Sequence, residues 1–288
     1  MAIEEIREGI MKQPIQLYPG DAALEAFSRQ AKVFDDEYGN DGMIRYKRRR
    51  VRDHMLRYPG PGSRMLELNC GTGGDAMYFA GKGFHVHATD LSSAMLERVE
   101  EKMTGQETGG RITTERCSFH ELENLQDKGP FDHIYSNFGG LNCTGRLDEV
   151  LRSLPPLLKP GGTVTLVIIS KFCLWEFLLL FKGRFKTAFR RFLSAGGRKA
   201  HIEGTYFKCW YYTPRYIRKH LGKEFEQIAL EGLCTLVPPS YIKSFDTNHP
   251  KAFRILSRME EKLKSSFFWR SSGDYFVISL RKKCPIGV

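Results

Sequence analysis

The stretch Arg64–Asp75, reading Arg-Met-Leu-Glu-Leu-Asn-Cys-Gly-Thr-Gly-Gly-Asp, constrains the fold more than any other part of the chain. Met65–Leu68 is a short apolar run with the length of a buried strand. It leads straight into Gly71, Gly73 and Gly74, and Asp75-Ala-Met-Tyr-Phe-Ala then opens a helix with Asp75 as its expected N-cap. The first turn of such a helix leaves amide N–H groups facing whatever lies above the loop, and glycines let a ligand approach because no Cβ intervenes. A strand, a glycine turn and a helix N-terminus in succession predict a nucleotide-type cofactor site at the carboxyl end of a parallel strand, within an α/β domain.

Two cofactor classes fit this loop. Gly71, Gly73 and Ala76 satisfy the dinucleotide pattern G-x-G-x-x-G/A, a weak signal by itself. Glu67, however, stands inside the strand, where a carboxylate is costly unless a donor reaches it. The methionyl amine of S-adenosylmethionine is such a donor. On Glu67-Leu-Asn-Cys-Gly-Thr-Gly-Gly, the sequence resembles the class I S-adenosylmethionine-dependent methyltransferases of the bacterial small-molecule type, whose first motif reads E/D-x-x-C/G-x-G-x-G. That reading is preferred to a nicotinamide enzyme.

The following segments extend the resemblance. Phe84–Asp90 alternates like a strand and ends at Asp90, 19 residues beyond Gly71, where an acid is placed to accept from the ribose hydroxyls of an adenosine cofactor. Leu91-Ser-Ser-Ala-Met95-Leu then opens a helix, and the resemblance implies that Leu91 and Met95 pack on the adenine. A third strand over Arg111–Phe119 brings Ser118 and Phe119 to a point where many relatives carry an Asp, so Ser118 or the Phe119 backbone takes over that contact. A fourth, Phe131–Phe138, delivers Asn137 to the loop that faces the transferable methyl in this fold, with Asn142 turned toward substrate. The implied cofactor set is Glu67, Asn69, Gly71, Thr72, Gly73, Asp90, Leu91, Met95, Ser118, Phe119 and Asn137. Ser136-Asn137-Phe138-Gly139 lacks the prolines of N/D-P-P-Y/F, so the amide-nitrogen chemistry of that motif is not implied.

Leu147–Leu158 reads as a helix ended by Lys159-Pro-Gly-Gly, and Thr163–Ile169 as a fifth strand. Phe225–Leu233 and Tyr275–Arg281 supply strands six and seven. The implied architecture is a Rossmann-like, seven-stranded mixed sheet with its final strand antiparallel, helices on both faces and an α-rich cap. Residues 1–60 read as an N-terminal helical segment over the cofactor site, with Phe34-Asp35 and Tyr38 as its contacts. Residues 61–288 form the methyltransferase domain, with cap insertions at about 171–208 and 236–272. Large apolar residues at 181, 185, 189 and 192 predict a helical stripe, and Thr205–Tyr212 an aromatic strand.

The net charge of +11 is unevenly placed: residues 171–288 hold 23 Lys/Arg against 9 Asp/Glu, and residues 1–170 hold 21 against 24. From Lys182 to Lys199 there are seven basic residues and no acid. Such a segment either closes over the active site as a cap, the preferred reading, or makes weak contact with an anionic membrane surface. The run Tyr46-Lys-Arg-Arg-Arg-Val-Arg is expected to be the solvated face of a helix with Tyr46, Val51 and Met55 inward, and nucleic acid is not an expected partner. Seven scattered cysteines without C-x-x-C argue for reduced thiols in a cytoplasmic protein and against a zinc site. Met1–Gln13 lacks the continuous apolar run of a signal peptide.

No residue declares itself as a catalytic base; His120, His201 and Tyr206 are the candidates. A sulfonium methyl needs a nucleophile aligned behind it, so positioning can carry much of the acceleration. Three functions follow. The first is methyl transfer from S-adenosylmethionine to a small hydrophobic or acidic acceptor, without a metal. The second is a lipid or nucleic-acid methyltransferase docked through the basic half. The third is a cofactor-binding protein without catalysis.

Overall fold

The computed structural model describes residues 21–284, apart from 40, 106–107 and 203. Seven strands form one sheet: β1 (Arg64–Leu68), β2 (His85–Asp90), β3 (Ile112–Arg116), β4 (Phe131–Ser136), β5 (Leu158–Ile169), β8 (Phe225–Leu233) and β9 (Tyr275–Lys282). Their spatial order is β3-β2-β1-β4-β5-β9-β8, while β6 (Arg198–Ile202) and β7 (Thr205–Cys209) make a separate hairpin. β1 to β5 run parallel, and β9 lies antiparallel between β5 and β8. The strand order reverses between β1 and β4, which opens a crevice at their carboxyl ends.

Helices cover both faces. The helices are α1 (Asp21–Gln30), α2 (Phe34–Gly39), α3 (Gly42–Met55), α4 (Gly74–Gly81), α5 (Ser93–Gly105), α6 (Leu147–Ser153), α7 (Pro214–Leu221) and α8 (Pro250–Leu263), with single helical turns elsewhere. Because successive strand residues point to opposite faces, the apolar strands feed two cores. Leu66, Ile134, Leu166 and Ile278 pack with Leu151 of α6 and Ile217 of α7. Met65, Tyr135, Val167 and Val277 pack with Met55 of α3, Phe79 of α4 and Val99 of α5. Glu67 shares the second face with Met65.

Several expected boundaries move. The helix before β5 stops at Ser153, because Pro155 and Pro156 cannot extend it, and β5 already begins at Leu158. The stripe over 181–192 is not one helix: Gly183 adopts a left-handed φ of 69° and separates single turns at Leu174–Phe177 and Phe185–Ala188. The aromatic strand stops at Cys209 and pairs with β6, not with the main sheet. Among the described residues no helix is long and apolar enough to cross a membrane. The seven cysteines are free. The Met1–Gln13 segment and the side chain of Tyr38 lie outside the described residues.

The basic run of α3 is not a solvated face. Tyr46, Val51 and Met55 are buried as expected, but so are Lys47 and Arg50. Glu260 of α8 explains this. Its carboxylate accepts from the backbone N–H groups of Cys234, Thr235, Leu236 and Val237, from the Tyr46 hydroxyl and from Arg50. One buried acid thereby ties α3, α8 and the chain leaving β8 together, and the guanidinium supplies the charge that makes its burial tolerable.

Candidate cofactor and active site

Directly after β1, Asn69 takes a positive φ of 50° and Gly71 one of 55°. A Cβ built on Gly71 meets nothing within 4 Å, so the space over the loop is open there. At Gly73, by contrast, a Cβ would lie 2.8 Å from Val99 Cγ2; only glycine lets α5 pack this closely beneath the loop. Gly73, in left-handed conformation, is also the residue that precedes α4. Asp75 is therefore not the N-cap. It sits inside the first turn, where its Oδ1 accepts from Arg52 Nε at 2.7 Å and its Oδ2 from Asn137 Nδ2 at 2.9 Å. An acid in this turn still complements the helix dipole.

Asp90, at the end of β2, folds against the same loop: its Oδ2 accepts from Gly71 N–H at 3.0 Å and its Oδ1 from Ser92 N–H at 2.9 Å. Burial raises its carboxyl above the ordinary range, and these backbone donors pull the other way. Glu67 is buried with its Oε2 accepting from the Tyr135 hydroxyl at 2.9 Å. Burial, and then the neighbouring Asp75, push its carboxyl well above its ordinary range. Asn69 donates to Ser136 Oγ at 2.7 Å, yet its Oδ1 and the Oδ1 of Asn137 are both buried without a partner. Two orphaned acceptors beside three acids leave the site short of donors. That is a fit for a ligand carrying an ammonium and ribose hydroxyls.

N-terminal elements reach this loop. Thr72 Oγ1 donates to Asp35 Oδ1 at 2.8 Å, and Lys102 of α5 pairs with Asp35 and donates to Thr72 O, both at 2.7 Å. Ser28 of α1 and Ser92 share a hydroxyl hydrogen bond of 2.8 Å. Leu91 is partly exposed beside Asp90, and Met95 is buried. Ser118 Oγ accepts from His120 N–H, and the Phe119 ring lies 4.9 Å from that of His120.

His120 Nε2 is hydrogen-bonded to Thr144 Oγ1 at 2.9 Å while its Nδ1 is buried without a partner. Burial, followed by nearby Arg146, lowers its pKa, so the ring is held neutral. His201 and Tyr206 stand opposite one another on β6 and β7, on the exposed face of the hairpin, with ring centroids 4.6 Å apart. The hairpin's other face, through Phe207, packs on Ala23 and Ala26 of α1. Asn142 is fully buried: its side chain accepts from Ile169 N–H and donates to Ile169 O and Trp210 O. Those bonds use both ends of its amide within the protein, so it does not look toward substrate.

Sequence reasoning passed over Tyr135, Arg52, Lys47 and Arg48. Lys47 Nζ lies 5.8 Å from the Phe138 ring centroid and 5.1 Å from that of Tyr275, and the Arg48 guanidinium lies 6.0 Å from Phe138. A Cβ on Gly74 would stand 2.3 Å from Arg48 Nη1, so this cation rests against the glycine loop. One signal was available: Glu67 and Tyr135 are each the penultimate residue of adjacent parallel strands.

Comparisons with known proteins agree with this geometry. Residues 65–162 match the family described as "Methyltransferase domain". A demethylmenaquinone methyltransferase of Clavibacter sepedonicus is 33% identical over 115 residues, covering 39% of this chain and 43% of that protein. Phosphoethanolamine N-methyltransferase 1 of Zea mays is 30% identical over 146 residues, covering 50% of this chain and 27% of that one. A crystal structure from Listeria monocytogenes, described as an S-adenosylmethionine-dependent methyltransferase, superposes with a TM-score of 0.56 at 17% identity, over 83% of this chain and 97% of that one. The chain spans less than half the length of the two curated sequence relatives, the Clavibacter and Zea mays enzymes. Residues 65–162 are a methyltransferase domain, and the sheet that carries them has the class I methyltransferase topology.

Proposed function

We propose that the protein transfers a methyl group from S-adenosylmethionine to a small-molecule acceptor of hydrophobic or acidic character. The observation that carries this reading is the pair of buried, unpartnered acceptors Asn69 Oδ1 and Asn137 Oδ1 beside Glu67, Asp75 and Asp90. In this reading Glu67 and the two asparagines receive the methionyl amine, and Asp90 receives the ribose. Leu91, Met95, Ser118 and Phe119 border the adenine, and Gly71 gives the backbone clearance. α1 and α2 lie over the bound cofactor through Ser28 and Asp35. Bound S-adenosylmethionine supplies an electrophilic methyl on a sulfonium.

The chain's own contribution is to orient the acceptor and exclude water. Lys47 and Arg48, flanking Phe138 in the loop after β4, favour an acceptor with an anionic group, and the Phe138 and Tyr275 rings favour an apolar body. His120, neutral and with one free ring nitrogen, is the candidate to take a proton where the acceptor carries one; His201 and Tyr206 stand away on the hairpin surface. The names of the two sequence relatives, demethylmenaquinone and phosphoethanolamine methyltransferase, support a small-molecule acceptor.

The test uses methyl-labelled S-adenosylmethionine, the purified protein and an extract of its host, with label followed into organic-soluble, aqueous and acid-precipitable fractions. Label in a small organic or aqueous product supports the reading. Label confined to nuclease-sensitive precipitate, or no transfer with cofactor binding intact, would overturn it.

A further inference from the structure

We infer that the segment after β5 is a docking surface for an anionic lipid bilayer. Its inner side is firmly anchored. Arg191, 3% exposed, donates to Ser170 O and Asp274 O at 3.0 Å and to Glu176 Oε1 and Asp274 Oδ1 at 2.6 Å. Arg190 adds a second pair of bonds to Glu176. Cys173, Glu176 and Asp274 place ligand atoms within 4.8 Å of one another, but here the Arg191 guanidinium joins the two carboxylates and provides the positive charge. Above this anchor Phe172, Phe177, Phe189 and Phe192 form a small aromatic cluster with centroid spacings of 5.7–6.5 Å.

The outer side is unlike an ordinary protein surface. Phe181 is 85% exposed, Phe185 62% and Leu193 70%, and Phe189 and Phe192 of the aromatic cluster are themselves partly exposed. Lys182, Arg184 and Lys186 are interleaved with these residues, are exposed themselves, and make no ion pair among the described residues. No acidic residue occurs between Glu176 and Glu203. Large aromatic side chains displayed by a rigid support and surrounded by cations match the interface of a bilayer, where rings enter the acyl boundary and bases meet lipid phosphates.

Charge selects this occupant. A second copy meeting the same face would oppose Lys182, Arg184 and Lys186 to themselves. A nucleic acid would accept the bases but leave Phe181, Phe185 and Leu193 against a polar, wet surface. Position supports the same choice: the segment begins at Ser170, directly beyond the carboxyl end of β5, the end of the parallel sheet at which the glycine loop lies. Docking there places the site mouth at the membrane, so a hydrophobic acceptor need not cross water.

The test is co-sedimentation of the full chain with phosphatidylcholine vesicles and with vesicles of phosphatidylcholine and phosphatidylglycerol, at low and at high salt. Binding is expected on the anionic vesicles, at least about tenfold weaker at high salt, where the screening length shortens to a few ångströms. The double variants Phe181→Ser/Phe185→Ser and Lys182→Gln/Lys186→Gln should each lower it about tenfold or more, with unchanged circular dichroism and unchanged S-adenosylhomocysteine affinity. Equal binding to both vesicle types, or none to either, overturns the inference. So does retention on RNA without vesicle binding, or a concentration-dependent dimer that the phenylalanine variant abolishes. The readout is lipid binding, so failure of methyl transfer leaves it untouched.

Discussion

The Tyr135 hydroxyl donates to Glu67 Oε2 at 2.9 Å, across a register that pairs the two residues on β4 and β1. Both are buried, and the bond fixes the Glu67 carboxyl group near the end of β1, four residues before Gly71. Removing the donor as Tyr135→Phe leaves that acid poorly satisfied and is expected to cost about 1–3 kcal/mol. Urea unfolding at neutral pH measures this; an unchanged midpoint would show that the bond contributes nothing.

Glu67 itself is expected to oppose stability when no cofactor is bound. Its carboxyl is raised above the ordinary range, so between the unfolded and folded pKa the folded state holds the extra proton. Stability from this group is therefore greatest at low pH and is lost as pH rises. Glu67→Gln should raise the unfolding free energy at pH 8 by roughly 1–2 kcal/mol relative to the parent, with a smaller gain at pH 5, while weakening S-adenosylmethionine binding. Equal effects at both pH values would contradict the assignment.

Asp90→Ala removes the acceptor for Gly71 and Ser92 N–H together with the proposed ribose contact. Calorimetric titration with S-adenosylhomocysteine should show affinity reduced about tenfold or more, the worth of one or two charge-assisted hydrogen bonds. An unaltered dissociation constant removes Asp90 from the cofactor set.

Arg191→Ala leaves the buried Asp274 without its cation and Glu176 with Arg190 alone, and the expected destabilisation is about 3 kcal/mol. Limited proteolysis should then cut within 171–197 before the rest of the domain. Cleavage patterns identical to the parent would mean that the anchor is dispensable.

His133 is fully buried, with Nδ1 bonded to Thr163 Oγ1 at 2.6 Å, and burial pushes its pKa down to about 3. An unfolded histidine takes its proton near pH 6.5, roughly. The unfolded state thus binds more protons over the interval between, and stability must fall as pH drops through it. Imidazole resonances followed by NMR should show His133 neutral down to at least about pH 4. A titration near the ordinary value would refute it.

Much of the cofactor half was readable in the chain because its determinants are local. A strand of four apolar-framed residues, glycines that turn the backbone, and an acid at the end of the next strand are all written within a few residues of one another. The order and direction of the sheet were implied by the family resemblance and not by the strands' own residues, and the structure has them so. Asp75 was misplaced as a cap because Gly73, not a side chain, precedes α4, and because Arg52 and Asn137 compete for its oxygens. Local spacing cannot reveal such a competition.

The sequence by itself therefore determined the class of fold, the glycine loop and the position of Asp90, through backbone preferences and strand burial that act over short range. Only the tertiary structure decided what the charged residues do. Arg50 and Lys47, read as solvated, turn inward because Glu260 and Ser240, far along the chain, meet them there. Arg191 is a buried anchor while Lys182, a few residues earlier, is exposed. Desolvating a charge is affordable only where a partner is fixed in place, and which partners meet depends on how distant elements pack.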